Sequence, residues 1–168
     1  MKTISYATWT SPLGPMLIAA SGDGLIGAWF DGQRHFAGSD PAWTHDAEQP
    51  LLRDAQRQLQ AYFDGRLQRF ELALDPVGTL FQRAVWRAIA AVPYGEVITY
   101  AELARAAGAE GSARAAGAAT GRNPLSIIVP CHRIVGARGA LTGYAGGLMR
   151  KRWLLAHEGA AFRDRLAA

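Results

Sequence analysis

The order of apolar and polar residues divides the chain into a strand-rich start and a helix-rich remainder. Ile4 to Trp9 alternates apolar and polar positions, the period of a half-buried strand. Ser11-Pro12-Leu13-Gly14 is a turn, and Met16 to Ala20 predicts a second strand. Ser21-Gly22-Asp23-Gly24 carries an Asp-Gly hairpin signal, from which Leu25 to Phe30 returns as a third strand. The three make an antiparallel meander. Asp31 to Gln49 is polar and irregular, with His35 and His45 expected on a surface loop. Pro50 suits a first helical turn. Leu51, Leu52, Ala55, Leu59, Tyr62 and Phe63 then recur at helical spacing, a stripe expected to pack on the meander. Gly65 closes this helix.

Leu72 to Gly78 holds Asp75-Pro76 and Gly78 and reads as a linker. The expected organisation is a domain over 1–74, a linker over 75–78 and a second domain over 79–168. Thr79-Leu80-Phe81-Gln82 is a capping box opening a helix whose buried face is Phe81, Val85, Ile89 and Val92. Val92-Pro93-Tyr94-Gly95 ends it. A second box, Thr99-Tyr100-Ala101-Glu102, opens a helix to about Ala107, stopped by Gly108. Ser112 is placed to cap a further helix to about Thr120. Helix, short Gly-containing turn, helix is the helix-turn-helix pattern. Ile127 to Val129 reads as a short buried strand halted by Pro130, which has no N–H for a ladder. Gly139 to Gly147 is a glycine-rich loop, Leu148 to His157 a terminal helix with Gly159 as its C-cap, and the tail to Ala168 is expected to be exposed. The class is α+β.

Composition narrows the picture. The length of 168 residues suits one domain or two small ones, and 49% apolar residues supply a core. No apolar run reaches membrane-spanning length, and Met1-Lys2-Thr3-Ile4-Ser5-Tyr6 lacks a signal-peptide core, so no membrane association is expected. The single cysteine forms no intramolecular disulfide, which fits a reducing cytoplasm, and supplies no cysteine-rich zinc site. No metal site is expected. Residues 1–78 hold 6 Lys/Arg against 9 Asp/Glu, while residues 79–168 hold 12 against 5. The half with the cysteine is therefore basic, and basic surface attracts phosphate backbones. An ordinary Arg-rich surface would look the same by charge alone.

The cysteine is the candidate for chemistry. Cys131 follows the apolar run and precedes His132 and Arg133, whose positive charge would favour the thiolate nucleophile. A lone cysteine is more often a small buried apolar residue than a nucleophile. Pro130-Cys131-His132-Arg133, with Asn123 eight residues before the cysteine and Gly143-Tyr144-Ala145-Gly146-Gly147 after it, resembles the active-site signature of the O6-alkylguanine-DNA alkyltransferases. The resemblance runs from about Phe81 to Gly159 and is weaker over the first half.

What this resemblance implies is specific. The fold would be a ribonuclease-H-like N-terminal domain followed by a winged-helix-like C-terminal domain. The reaction would be direct-reversal repair, in which Cys131 irreversibly takes the alkyl group of O6-alkylguanine, and of O4-alkylthymine, from a flipped-out base. No cofactor is implied. His132 would take the thiol proton through a water, Glu158 would hold the imidazole, Tyr100 would donate to the base, and Asn123 would fix the turn before the cysteine. Tyr144 would stack on the guanine, the Ala145 N–H would face O6, Gly146 would let the chain approach closely, and carbonyls near Cys131 and Ile134 would accept from the exocyclic amine. Ser112, Ala113, Arg114, Ala115, Ala116 and Gly117 would enter the minor groove of double-stranded DNA with little sequence preference. Arg114, seventeen residues before Cys131, would replace the extruded base, and Lys151 would sit at the basic rim. The same resemblance implies a monomer, with cooperative binding on DNA left open. Ile134 stands where relatives often have valine, and Ala145 where some have serine. The small side chains of 112–119 suit close groove approach without base reading. A non-repairing lesion sensor, a helix-turn-helix regulator and a thiol hydrolase built on Cys131, His132 and Glu158 remain as alternatives from other classes.

Overall fold

In the computed structural model of the chain, which describes residues 1–163, the backbone forms two compact units. Met1–Val77 with Pro124–Ile128 make the first, and Gly78–Asn123 with the chain from Val129 onward make the second. The class is α+β. The segment Pro124–Ile128, expected within the second domain, packs with the first unit instead.

The first unit is built on the expected meander. Strands β1 (Ser5–Ser11), β2 (Gly14–Ala20) and β3 (Leu25–Phe30) pair antiparallel in sequence order. The β1–β2 loop is Pro12 and Leu13, tied by Ser11, whose Oγ accepts the Leu13 N–H at 3.0 Å and donates to the Gly14 carbonyl at 2.8 Å. One expectation fails here. Within the polar stretch 31–49, β4 (Thr44–His45) pairs parallel with β1, giving the order β3-β2-β1-β4. A two-residue edge strand is too short to carry a readable period. Helix α1 (Pro50–Phe63) buries Leu52, Ala55, Leu59 and Tyr62 completely, and Gly65 at φ +75° closes it. At the free edge of β3, Ala28 donates to the Pro124 carbonyl at 2.8 Å and accepts the Ser126 N–H at 2.9 Å. Residues 124–126 thus extend the sheet by one bridge, Ala28 to Leu125.

The second unit begins with α2 (Leu80–Ala90), whose capping box is made in full: Thr79 Oγ1 accepts the Gln82 N–H at 3.1 Å, and Gln82 Oε1 accepts the Thr79 N–H at 3.0 Å. Val85 and Ile89 are buried as expected, but Phe81 is 36% exposed. Phe81 lies in the first turn, and the core position is filled by Trp86, whose Nε1 donates to the Ala119 carbonyl at 2.9 Å. Strand β5 (Ile98–Thr99) runs into α3 (Tyr100–Ala106) through the second capping box, also complete. Gly108, at φ +79°, reverses the chain so that the Ala109 N–H reaches the Ala104 carbonyl at 2.8 Å and seals α3. Helix α4 (Ala113–Gly121) follows, completing the helix-turn-helix; Ser112 stands at its N-cap but its side chain makes no capping bond.

The expected strand Ile127–Val129 does not form. The Ile128 N–H donates to the Ser126 carbonyl at 2.9 Å around Ile127 at φ +72°, and the Cys131 N–H donates to the Val129 carbonyl at 2.8 Å around Pro130 at φ −80°, ψ 64°. These are two γ-turns, the first of the rare positive-φ form. An apolar run reports burial, and Ile127 is fully buried, but it does not report backbone direction. Cys131–Arg133 then form one 3-10 turn, and β6 (Ile134–Val135) pairs parallel with β5, Ile98 opposite Ile134. Helix α5 (Leu148–His157) ends at Gly159, φ +70°. Beyond it the Leu141 N–H reaches the Arg163 carbonyl at 2.9 Å, so the backbone is paired as far as Arg163, while Ala161 and Arg163 are exposed as expected. Residues 164–168 lie outside the described residues. Among the described residues no helix is long and apolar enough to cross a membrane.

Trp86→Phe removes the donor to Ala119 while keeping a ring in the core. It is expected to destabilise the protein by about 1–3 kcal/mol, the cost of leaving a buried acceptor short of its partner. Urea unfolding would read this as a lower midpoint at unchanged slope.

Candidate active site

Short elements converge on Cys131. The parallel β5–β6 pairing sets Ile98 beside Ile134 and Thr99 beside Val135, so Cys131–Arg133 lead into one end of a two-stranded ribbon and Tyr100 leaves from the other. The 3-10 turn matters for geometry. Successive residues of a strand point to opposite faces, whereas the turn lets Cys131, His132 and Arg133 all enter the interior, at 4%, 0% and 6% exposure.

Glu158, the C-cap of α5, organises the polar half of the site. Its Oε1 accepts from His132 Nε2 at 2.7 Å and from Arg133 Nη2 at 2.9 Å, and its Oε2 accepts from Arg133 Nε at 2.8 Å and from the Gly95 N–H at 3.3 Å. Burial acts to raise the Glu158 carboxyl, but the hydrogen bonds from His132 and Arg133 outweigh it and hold the group well below the usual carboxylate range. Glu158 is therefore ionised and can only accept. His132 Nε2 must then carry the hydrogen, which leaves Nδ1 as the basic nitrogen. Nδ1 is buried and has no protein hydrogen-bond partner. Burial lowers the His132 pKa more than Glu158 raises it, so the imidazole is neutral at rest.

Arg133 corrects one expectation. Its guanidinium is committed to Glu158 and, through Nη1, to the Val92 carbonyl at 2.7 Å, so it does not serve the thiol. Cys131 is not pre-ionised either: burial pushes the thiol up, opposed in turn by a hydrogen bond with Asn123 and by the positive charge of Lys151. Asn123, itself buried, also donates from Nδ2 to the Val129 carbonyl at 2.8 Å, fixing the turn before the cysteine.

Lys151 corrects a second. Expected at a basic rim, it is completely buried, and its Nζ donates to the carbonyls of Ile134 at 2.5 Å, Thr142 at 2.8 Å and Gly143 at 3.0 Å. Burial brings its pKa down to about 8. It cannot touch DNA phosphate, and it ties the glycine-rich loop to β6. The Ile134 carbonyl, expected to serve a bound base, already accepts one bond from Lys151. The helical spacing of Lys151, Leu154, Leu155 and Glu158 was the available signal: positions i, i+3, i+4 and i+7 share one buried face. Tyr100 donates weakly to the same Thr142 carbonyl, at 3.4 Å. Burial raises its pKa, so it remains a proton donor.

The loop after Gly143 folds back with the Gly147 N–H on the Tyr144 carbonyl at 2.9 Å, leaving Tyr144 and Ala145 half-buried and Gly146 buried. On α4 the expected set divides. Ser112, Arg114 and Ala115 are exposed, and Ala113 and Gly117 are half-buried. Ala116 is fully buried and so is removed from the contact surface. It falls on the inner side of the helix with Ala119 and Thr120.

The chain is similar to known proteins over most of its length. The family model for the 6-O-methylguanine DNA methyltransferase DNA-binding domain matches residues 80–160, and that for the ribonuclease-like domain of the same proteins matches residues 4–76. A methylated-DNA–protein-cysteine methyltransferase of Methanosarcina acetivorans is 47% identical over 155 residues, 92% of this chain and 97% of that protein. One from Mycobacterium tuberculosis is 47% identical over 153 residues, 90% of each. The crystal structure of Mycobacterium tuberculosis OGT in complex with DNA superposes with a TM-score of 0.84 at 47% identity, covering 92% of both chains.

Glu158→Gln would leave Arg133 buried without its counter-charge, and is expected to cost about 3–5 kcal/mol near neutral pH. Because the folded pKa of Glu158 is depressed, its stabilisation is fully present above the ordinary value of 4.5 and is lost as pH falls through the folded value. Unfolding midpoints of the two proteins should therefore converge on acidification; a gap that stays constant in acid would contradict this assignment.

Proposed function

The chain belongs to the 6-O-methylguanine DNA methyltransferase family, and from that premise we propose that it repairs DNA by transferring the alkyl group of O6-alkylguanine to its own Cys131. O4-alkylthymine is a second substrate on this reading. The observation that carries the proposal is a neutral, buried His132, next in sequence to the chain's single cysteine, whose Nε2 is held by Glu158 and whose buried Nδ1 has no protein hydrogen-bond partner.

The lesion lies within the base stack, so the nucleotide must be turned out of the duplex, at a cost of a few kcal/mol in unstacking. Helix α4 enters the minor groove with Ser112, Ala113, Arg114, Ala115 and Gly117, whose small side chains allow close backbone approach and carry no base-reading groups. Arg114, exposed and without an ion pair among the described residues, fills the gap in the stack. Tyr144 stacks on the extruded guanine, Ala145 offers its N–H to O6, and Gly146 keeps the wall thin.

The chemistry then needs a thiolate that the resting site does not hold. The proton leaves Sγ through a solvent molecule to His132 Nδ1, and Glu158 stabilises the imidazolium that results. Lys151 and Asn123 favour the sulfur's negative charge. Sγ attacks the alkyl carbon in line, the S–C bond forms, the C–O6 bond breaks, and the electron pair passes to the base. Tyr100 donates a proton to the leaving guanine, and the proton first taken from Sγ restores the balance. A thioether does not release its methyl under these conditions, so each molecule acts once. A monomer acting in a reducing cytoplasm fits a site that requires one free thiol.

Incubation with a duplex carrying one O6-methylguanine should add a single methyl to the Cys131 peptide, saturating at one per protein and absent in Cys131→Ala. Tight lesion binding with no mass gain would instead indicate a sensor. Lys151→Met keeps the aliphatic stem but removes the ammonium from three carbonyls, and should slow single-turnover transfer by about tenfold to a hundredfold through a misplaced pocket wall.

A further inference from the structure

One turn of the second unit closes over the Arg133–Glu158 pair. It follows α2, and the Glu96 N–H shuts it on the Pro93 carbonyl at 3.1 Å. Arg133 engages all three guanidinium nitrogens: Nε and Nη2 donate to Glu158 at 2.8 and 2.9 Å, and Nη1 donates to the Val92 carbonyl at 2.7 Å. What remains is the flat face of the guanidinium. Tyr94 lies over it, with the guanidinium carbon 5.7 Å from the ring centroid. The Tyr94 hydroxyl donates to the His157 carbonyl at 3.4 Å, which ties the ring to the end of α5. The Gly95 N–H donates to Glu158 Oε2 at 3.3 Å. Residues 92, 94 and 95 thus meet the same buried pair at three different points.

The turn has little latitude. Gly95 stands at φ +81°, and a Cβ there would lie 3.1 Å from the Glu158 carbonyl oxygen, so a side chain would be strained and would push the turn off the helix end. The Glu158 and His132 side chains are fully enclosed, and that of Arg133 nearly so. Tyr94 and Gly95 are half-buried, so the turn is the boundary between the pair and water. The state of His132 depends on this boundary. Burial is the largest influence on the imidazole and keeps it neutral; Glu158 acts against burial, while Arg133 and Lys151 act with it. These charged groups reach it from α5 and from its own turn, beside the Cys131 thiol, whereas Arg83 and Arg87 of α2 are exposed. Water admitted at the Tyr94 face would ease the desolvation and screen Arg133, and both changes favour the imidazolium. Screening of Glu158 opposes them but is set against the larger effect.

We propose that Tyr94 and Gly95 are positioning residues for the methyl transfer: with the Val92 carbonyl they seal the Arg133–Glu158 pair from solvent, and so hold His132 ready to take the thiol proton. Both act through Arg133 and Glu158. This rests on Cys131 being the alkyl acceptor and His132 the acceptor of its proton.

Tyr94→Ala removes the cover, and Gly95→Ala displaces the turn. Tyr94→Phe keeps the ring and loses only the long bond to His157. Gly65→Ala is the control for backbone strain alone, since Gly65 has a similar φ, +75°, and a Cβ there meets nothing within 4 Å. Single-turnover transfer from an O6-methylguanine duplex is measured at saturating duplex between about pH 6 and pH 7.5, alongside melting temperature. A charged imidazole cannot accept the thiol proton, so a higher proton affinity slows the reaction on the acid side. In Tyr94→Ala and Gly95→Ala the rate should fall about threefold to tenfold below wild type near pH 6 and stay within about twofold of it near pH 7.5. Tyr94→Phe and Gly65→Ala should follow the wild-type profile. In the resting protein without DNA, nitrogen NMR of the His132 ring should show the imidazolium appearing at higher pH in the two disrupted variants than in wild type. Profiles parallel to wild type in Tyr94→Ala and Gly95→Ala would overturn the proposal, whatever their melting temperatures. So would an acid-side loss shared by Gly65→Ala, or one as large in Tyr94→Phe as in Tyr94→Ala. Should one disrupted variant fail to fold, the profile of the other decides. If the wild-type protein takes up no methyl on Cys131, the reading beneath fails instead, and the NMR comparison still tests the seal.

Discussion

An ionised carboxylate in a place that water does not reach is the condition on which the site depends. Glu158 has lost its solvent, and in an apolar interior that would return it to the neutral acid. The fork of Arg133 prevents this, with two bonds below 3 Å. Once the charge is fixed, the tautomer of His132 follows, and with it the position of the basic nitrogen. Arg133 thus acts on the chemistry at two removes: it sets the state of the carboxylate, the carboxylate sets the imidazole, and the imidazole sets where a proton can go. A helix C-terminus disfavours a negative charge, and α5 carries one there because the ion pair outweighs the dipole.

The sulfur side is arranged on the opposite principle. Nothing near Cys131 forces the thiolate in the resting state, and burial works against it. A lone thiol kept protonated until a proton path is completed is protected from oxidation and from adventitious electrophiles, which act on the thiolate. The cation close enough to matter is Lys151, and its three carbonyl bonds keep its ammonium in the interior. Structural tie and electrostatic support are the same group.

Much of the fold is legible in the amino-acid sequence. The meander, both capping boxes, the glycine stops and the helix-turn-helix follow from local rules that tertiary packing did not override. The family signature points to Cys131, His132, Asn123 and Glu158, and all four are buried. What could not be read was direction. Ile127 to Val129 has the composition of a strand, and its side chains are buried as that composition implies, but a γ-turn leaves no compositional trace when isoleucine occupies it. Charge suggests exposure, so from the sequence Arg133 and Lys151 read as cations offered to the sulfur or outward. Their partners, a carboxylate 25 residues away for Arg133 and three backbone carbonyls for Lys151, are set by the fold. Ala116 reads with its neighbours as part of one run of small side chains, although helical period alone puts it on the face opposite Arg114.

Helix α5 carries both controls of the site on one face. Lys151 holds the glycine-rich loop near one end and Glu158 holds the imidazole at the other, seven residues apart. Seven residues are two turns and about 10.5 Å of axis, so both side chains point the same way. The helix is a ruler whose length matters more than its outward lettering. Met149, Trp153 and Ala156 face outward and leave the interval intact when they change. A single residue gained or lost between 151 and 158 would turn one control about 100° away from the other. Across related chains, variation along this helix should take the form of exchange and not of length.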